Sequence, residues 1–443
     1  MRGLRSLKNL LNRNRRSRKL ARRKKDRGIN ASYRFPGLFR SSIVRRIVVA
    51  LLLLLLVYIA VPYAYAILTF EIKRDASDGG GEITPWYGTN RLITLVIGTD
   101  QTDLEHEFID AMALVVVDPE FSTVGVFGIN PDLNLYVKSI DARLNVRTFL
   151  NNYKTEGSEI KYLKEAVENL LAVRLDRYLK VSDDGFTKIT EKLEPVSVDL
   201  DYDVKDEDVF ERTGEDGFTG WNAGKQLVWP NQFVAFLASD VNGINDQADR
   251  QAQLYAGIIK DIDSPVTLSN LPSILNSFKA HVKSDLSREE LFLMSRTALG
   301  LRTDQIKLGF TRQSSLLGGR TAGLYDRYDP VSDSIDNDLE SILYDFSIAM
   351  EQARVEILNG SGIRGLASSR SRWMTNSGGR VVHFGNSLEV EEITKIYVDD
   401  REQFPATLRE IERIFNGKVV YSDTQYRHKH IGDIIVVIGK DVD

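Results

Sequence analysis

The stretch RLITLVIGTD, residues 91–100, decides the fold when it is taken with AMALVVVD at 111–118 and STVGVFGI at 122–129. Each is a short apolar run, rich in β-branched residues and bounded by turn formers, which predicts three strands with the middle one buried on both faces. Asp118-Pro119-Glu120 is a tight turn, so the second and third strands should form an antiparallel hairpin. If the first pair is antiparallel too, three carboxylates fall on one edge of the sheet: Asp100 ending the first strand, Asp110 opening the second and Asp132 beyond the third. Carboxylates gathered in this way repel one another unless a cation or a donor offsets them. A hard, oxygen-ligated ion such as Mg2+, bridging to phosphate, is the usual solution. The plainer reading is that loop aspartates cap helices and turns.

Upstream lies EIKRDASDGGGEITPWYGTNR, whose Gly79, Gly80 and Gly81 mark a flexible tether. Before it, the run from Ile47 to Phe70 has about 24 residues without a charge, enough helix to cross a hydrocarbon core of about 30 Å. Tyr58, Tyr63 and Tyr65 are placed as headgroup-level aromatics would be, and Pro62 sits late enough for a kink to be tolerated. Residues 1–46 carry about 17 Lys and Arg against the single acid Asp26, which puts the N-terminus in the cytoplasm and the remainder outside. A cleaved signal peptide is the competing reading; the run is longer than a signal core, and no small-residue cleavage site follows it cleanly. The basic head reads as a solvated tail that fixes topology, or as a docking segment for a cytoplasmic partner or RNA.

The formal net charge of −4 hides an asymmetry, because without the basic head the rest carries about −20. That balance argues against nucleic acid as a partner of the outer portion. The chain has no cysteine, so disulfides, thiol nucleophiles and Cys-ligated metals are excluded. His106 is the one histidine near the aspartates, and its default reading is an exposed loop residue.

Downstream, IKYLKEAVENLLAVRLDRYLKVSDDGFTKITEKLEPVSVDL alternates helix, strand, helix, strand, with Leu163, Val167, Leu170 and Leu171 on one helical face. From Ile262 to Met350 the pattern is mainly helical, with Ser287 capping ahead of Glu289 and Glu290, and IKLGFT at 306–311 reading as a further strand of the main sheet. The final segment, from ARVEILNGSGIRGLASSRSRWMTNSGGRVVHFGNS onward, reads as strand, glycine turn, helix and strand, then TKIYV, PATLREIERIF, KVVYS and DIIVVIG, a compact α/β module. Its NGSGIRG turn lacks the Lys-Ser/Thr of a P-loop and the spacing of a dinucleotide fingerprint.

The runs TLVIGTD, DAMALVVVDP and VGVFGINPDLNLYV, followed by RLNVRTFLNNY and a segment reaching Arg250-Gln251, resemble the LytR-CpsA-Psr family. The last segment resembles the C-terminal domain that often follows it, with Asn359, Gly360, Gly362, Gly365 and Ala367 matching a strand-ending signature. The resemblance implies an α/β fold: a membrane-anchored α-β-α sandwich with a mixed central sheet, then a small C-terminal α/β domain. The domains expected are a cytoplasmic basic tail (1–42), a transmembrane helix (43–70), a linker (71–90), the LytR-CpsA-Psr-like domain (91–330), a linker helix (331–350) and the C-terminal domain (351–443).

By resemblance, the protein is a single-pass cell-membrane phosphotransferase. It would move a glycopolymer from a polyprenyl-pyrophosphate lipid carrier onto peptidoglycan or another cell-wall glycan. Asp100, Asp110, Asp132 and Arg250 stand at catalytic positions, Asp100 and Asp110 also as ligands of Mg2+, with Gln251, Arg143 and Arg147 on the substrate. The chain departs from the family at Phe108, Pro131, Ala238 and Asp240, and at Gln247, positions where arginines are usual. Losing a charge-assisted bond removes about 1.5–3 kcal/mol, so the anion clamp needs other cations, for which Arg143, Arg147, Arg174 and Arg177 are in neighbouring segments. The alternative function is a catalytically degenerate lipid- or glycan-binding scaffold of the envelope, and a third is an unrelated membrane-anchored interaction protein.

Overall fold

The computed structural model describes residues 60–75, 78, 83–100, 106–152, 158–205, 220–239, 241, 244–312, 316–319, 327–330, 332–421 and 429–441. The basic head and most of the expected membrane run, residues 43–59, lie outside the described residues, as does Asp240. Among the described residues, no helix is long and apolar enough to cross a membrane. The chain divides into two units, Met1–Tyr65 and Ala66–Asp443. In the first, the described residues are helical; the second holds everything that follows.

Strands β1 (Leu92–Asp100), β2 (Phe108–Asp118) and β3 (Thr123–Ile129) form the expected meander, both pairs antiparallel. A short hairpin follows, β4 (Asn134–Val137) with β5 (Ala142–Asn145). Helix α1 (Glu159–Leu171) then leads to β6 (Arg177–Ser182), α2 (Asp183–Thr190) and the hairpin of β7 (Val196–Leu200) and β8 (Gly224–Val228). Next come α3 (Phe233–Ala238), α4 (Ile244–Lys260), α5 (Pro265–His281), β9 (Val282–Ser284), α6 (Arg288–Ala298) and β10 (Ile306–Phe310). The main sheet runs β10-β3-β2-β1-β6-β9; β6 is parallel to β1 and β10 parallel to β3, so it is mixed.

Alternation along β1 assigns the two faces. Ile93, Leu95 and Ile97 are fully buried in the largest core cluster with Leu163, Val167 and Leu171 of α1. On the opposite face, Ala113, Val117, Val124 and Val126 pack with Tyr255 and Ile259 of α4 and Met294 of α6. The result is a three-layer sandwich. Helix α5 starts where Ser264 caps it by accepting from Thr267 N and Pro265 occupies the first turn. Ser287 caps α6 as expected and forms a reciprocal capping box with Glu290.

A small hairpin of β11 (Leu316–Gly319) and β12 (Arg327–Pro330) precedes α7 (Ser332–Leu343) and α8 (Phe346–Glu351). The stretch 331–350, expected to be a linker helix, does more than connect. Ile335, Leu339, Ile342 and Leu343 of α7 are buried in the main core. Gly125 on β3 makes room for it, since a Cβ there would lie 2.8 Å from Ile342 Cγ2. The C-terminal domain follows as β13 (Arg354–Asn359), α9 (Leu366–Asn376), β14 (Arg380–Asn386), β15 (Lys395–Val398), α10 (Pro405–Phe415), β16 (Lys418–Tyr421) and β17 (Ile434–Ile438). Its sheet has the order β14-β13-β17-β15-β16, with β15 antiparallel to β17 and the other pairs parallel. Ala172 of the main domain and Ile348 of α8 are built into its core.

Candidate active site

Two details of register gather the acidic residues. In the β1–β2 ladder, Gly98 pairs with Ala111 but Thr99 pairs with Ile109, so Asp110 is the extra residue of a bulge. A bulge interrupts the ladder and re-aims the side chain it carries. In the parallel β1–β6 ladder Thr99 pairs with Ser182, which brings Asp183, the first residue of α2, beside Asp100. Asp100, Asp110 and Asp183 each offer a carboxylate oxygen within 4.8 Å of the others, and all three are half-buried. Asp183 sits in the first turn of α2, where the helix dipole favours a negative charge. The sequence reading did not include it.

Asp132 joins from the other side through Arg147. Nη1 of Arg147 lies 2.7 Å from Asp110 Oδ1, and its Nε lies 2.9 Å from Asp132 Oδ1. The backbone holds this clamp in place, because Ile109 N donates to Arg147 O (2.9 Å) and Arg147 N donates to Pro131 O (2.8 Å). Asn130 Oδ1 in turn accepts from Asp132 N at 2.6 Å. The three carboxylates expected on one edge are therefore linked, Asp110 belonging to both groups.

Other expected site residues take different places. Arg250 is fully buried on α4. Its guanidinium bonds Asp246 and the Ser239 carbonyl, approaches Val241 O at 3.4 Å, and lies 5.9 Å from the centre of the Phe236 ring. Gln251 Nε2 donates to Leu237 O (3.1 Å) and Asp110 O (3.4 Å), and Gln247 Nε2 donates to Leu237 O at 3.3 Å. These three side chains satisfy carbonyls at the end of α3, where a helix leaves acceptors over. Gln251 touches the backbone of the bulge at Asp110. Arg143 is exposed on β5, opposite Tyr136. Arg174 is half-exposed, 3.8 Å from Glu168, and buried Arg177 pairs with Glu290; in register Arg177 lies opposite Thr94, well down β1 from Asp100. His106 is an exposed residue whose ring stacks on Phe108, centroids 6.2 Å apart.

Beneath Asp110 and Asp183 runs a narrow, mainly apolar cleft, walled by Val96 and Gly98 of β1, Phe186 of α2, Leu237 of α3 and Tyr255 of α4. Its free volume of about 30 Å³ has room for a water or two. Burial pushes the Tyr255 phenol up, and the neighbouring Asp183 charge adds to the shift, so the hydroxyl is a neutral group. Lys180 alternates with the cleft-lining Val181 and serves the other face, where its Nζ lies 2.9 Å from Glu107 and 3.3 Å from Asp75. The arrangement is an acidic, arginine-clamped rim over a narrow apolar slot.

The chain belongs to the LytR_cpsA_psr family, whose profile matches residues 72–335. A second profile, LytR cell envelope-related transcriptional attenuator, matches residues 352–441. Among curated proteins, the chain is 22% identical over 209 residues to the polyisoprenyl-teichoic acid–peptidoglycan teichoic acid transferase TagV of Bacillus subtilis, 46% of this chain and 49% of that one. It is 21% identical over 231 residues to the corresponding transferase TagU of Halalkalibacterium halodurans, 50% of this chain and 69% of that one. The chain thus spans about half the length of TagV and about 69% of TagU. Among solved structures, B. subtilis TagV aligns with a TM-score of 0.46 at 17% identity, covering 57% of this chain and 96% of that one. A LytR-Csp2A-Psr enzyme from Actinomyces oris aligns with a TM-score of 0.43 at 15% identity, covering 61% and 96%.

Proposed function

We propose that this protein is a membrane-anchored envelope phosphotransferase, which moves a glycopolymer from a polyprenyl-pyrophosphate carrier to a hydroxyl of a cell-wall glycan. The observation that carries the reading is the meeting of Asp100, Asp110 and Asp183 with the Arg147 clamp at the mouth of the apolar cleft. In this reading residues 43–70 form the anchor, with the N-terminus cytoplasmic, and keep the site beside its lipid substrate. TagV and TagU, transferases of teichoic acid from a polyisoprenyl carrier to peptidoglycan, support this reading.

The donor set fits a hard divalent ion, because it is all carboxylate oxygen with no sulfur or imidazole among the three. Asp100, Asp110 and Asp183 would hold Mg2+, which when bound screens charge on the pyrophosphate. Arg147 orients the carboxylates of Asp110 and Asp132 and supplies positive charge at the rim for an incoming phosphate. Asp132 is outside the trio and takes the proton of the attacking hydroxyl. The hydroxyl oxygen bonds the polymer-linked phosphorus, the bridging P–O bond breaks, and polyprenyl phosphate leaves. Arg250 and Gln251 act from behind, fixing the end of α3 and the bulge.

A second reading is a lipid- or glycan-holding scaffold. It is favoured by Phe108, Pro131 and Ala238 standing where arginines are usual, and by an Arg250 with no exposed surface. Binding of a short-chain polyprenyl pyrophosphate to the full chain, with and without Mg2+, followed by carrier release in the presence of an acceptor glycan, separates the two. Metal-dependent binding with release supports the transferase. Binding without release supports a lipid-holding scaffold, and no binding removes the lipid-substrate claim.

A further inference from the structure

We infer that α5 is an interfacial helix, its outer face lying in the outer headgroup layer of the bilayer; this rests on reading residues 43–70 as the anchor. The apolar run ends against this helix. Ala66 and Phe70 are buried with Leu275 of α5, and the Phe70 ring lies 5.9 Å from that of Phe278 and 6.3 Å from that of Phe292 of α6. Lys279 Nζ donates to Thr69 O at 2.8 Å and Arg288 Nη1 to Leu68 O at 3.3 Å, so two cations from different elements cap the carbonyls at the end of the incoming helical segment. The position of α5 relative to residues 66–70 is therefore fixed.

The composition of α5 suits a membrane surface. From Ser264 to His281 there is no acidic residue, although the outer part of the chain is strongly acidic and Asp261 and Asp263 stand just ahead of the helix. Val266 is 39% and Leu268 45% exposed. Leu268 is seven residues from Leu275, roughly 10 Å along the helix axis, so a helix lying in the membrane plane keeps it level with the end of the apolar run. Toward the end that meets Phe70, Lys283 is paired with Asp75 at 3.3 Å and Arg288 with Glu289 at 2.7 Å, and Lys279, held on the Thr69 carbonyl, adds positive charge on the headgroup side. Two aliphatic side chains are too little for a second copy, since a stable interface buries about 800 Å² per partner. They are enough to dip into a headgroup layer.

Because the chain has no cysteine, single replacements can be labelled without background. The full chain is placed in phosphatidylglycerol–phosphatidylethanolamine vesicles with an environment-sensitive fluorophore at Leu268→Cys, at Leu54→Cys within the apolar run, or at Leu388→Cys on the C-terminal domain. Quenching is read with a nitroxide-labelled phospholipid. The expected result is quenching at 268 roughly threefold or more above that at 388, with 54 quenched as well. Quenching at 54 with 268 no different from 388 overturns this inference and leaves the anchor standing. No quenching at 54 removes the anchor reading and this inference with it. Shielding at 268 that follows protein density rather than the lipid quencher assigns the face to a second copy and also overturns it.

Discussion

Arg91, one residue ahead of β1, reaches Glu410 on α10 of the C-terminal domain, with Nη2 at 2.9 Å from Oε1. Both side chains are buried, and Glu410 is shared: Arg413 meets it through Nε and Nη2 at 2.9 Å, and Arg413 Nη1 continues to Asp176 at 3.1 Å. A second tie is made by Arg372 of α9, which pairs with Asp336 of α7 and donates to the carbonyls of Asn169 and Leu170. The two domains are thus joined by ionic bonds whose partners come from both.

Glu410→Gln leaves the buried Arg91 and the half-buried Arg413 guanidinium groups with a weakened partner. Removing one member of a buried ionic network costs about 3–5 kcal/mol. Thermal unfolding of the variant should therefore begin at lower temperature, with the C-terminal domain released first, which limited proteolysis around 344–354 would reveal. An unchanged melting curve would show that the network contributes nothing.

The same network has a pH signature. Burial opposes ionisation of Glu410, but the charges of Arg413 and Arg91 and bonds from Arg413 and Ser377 hold its carboxyl far below the usual 4.5. A carboxyl depressed in the folded state stabilises fully above its unfolded value, and that contribution is lost as pH falls beneath it toward the folded value. Wild-type stability should decline below about pH 4.5, and Glu410→Gln should flatten this part of the profile.

Arg147→Ala removes the bridge between Asp110 and Asp132. At about 1.5–3 kcal/mol per charge-assisted bond, carrier release should fall roughly 10- to 100-fold or more, while Arg147→Lys, which keeps the charge without the fork, recovers part of it. The pair of variants distinguishes charge from geometry in a release assay with matched folded fractions.

Asp183→Asn should weaken Mg2+ or Mn2+ binding by roughly tenfold or more, read by calorimetry or by Mn2+ electron paramagnetic resonance, whereas Asp132→Asn leaves metal affinity nearly intact. Chelation of the wild type should reduce carrier binding to the level of Asp183→Asn. Equal metal affinity in both variants would remove Asp183 from the ligand set.

Gly128→Ala tests how α4 seats on the sheet. A Cβ at Gly128 would lie 2.8 Å from the backbone oxygen of Ala248, which is not a side-chain end that can swing aside. Overpacking of this kind costs about 1–3 kcal/mol, and because α4 carries Arg250 and Gln251 the loss of stability should be accompanied by weaker carrier binding.

The meander of β1 to β3, and the further main-sheet strand at 306–311, were legible because their apolar runs are short and bounded by turn residues. Asp100, Asp110 and Asp132 followed from that topology, and Arg147 from its place in the next segment. Asp183 was not legible. In SDDGF it reads as an acid of a helix first turn, and only the parallel register of β6 on β1 brings it to Asp100. The bulge leaves no mark in FIDAMALV, since an extra residue changes pairing rather than composition. The stretch 331–350 looked like a connector because its apolar residues are spread at helical spacing among acids, and their burial depends on the space left by Gly125.

The bulge at Asp110 has a consequence for how such a site can be lost. Deleting that single residue would restore an unbroken ladder between β1 and β2, and a regular ladder is the more stable structure. The fold would gain and the rim would lose both its shared carboxylate and its tie to Arg147. A rim that depends on an irregularity is one deletion away from a sturdier chain without it, so stability screens on this protein would tend to select against the rim.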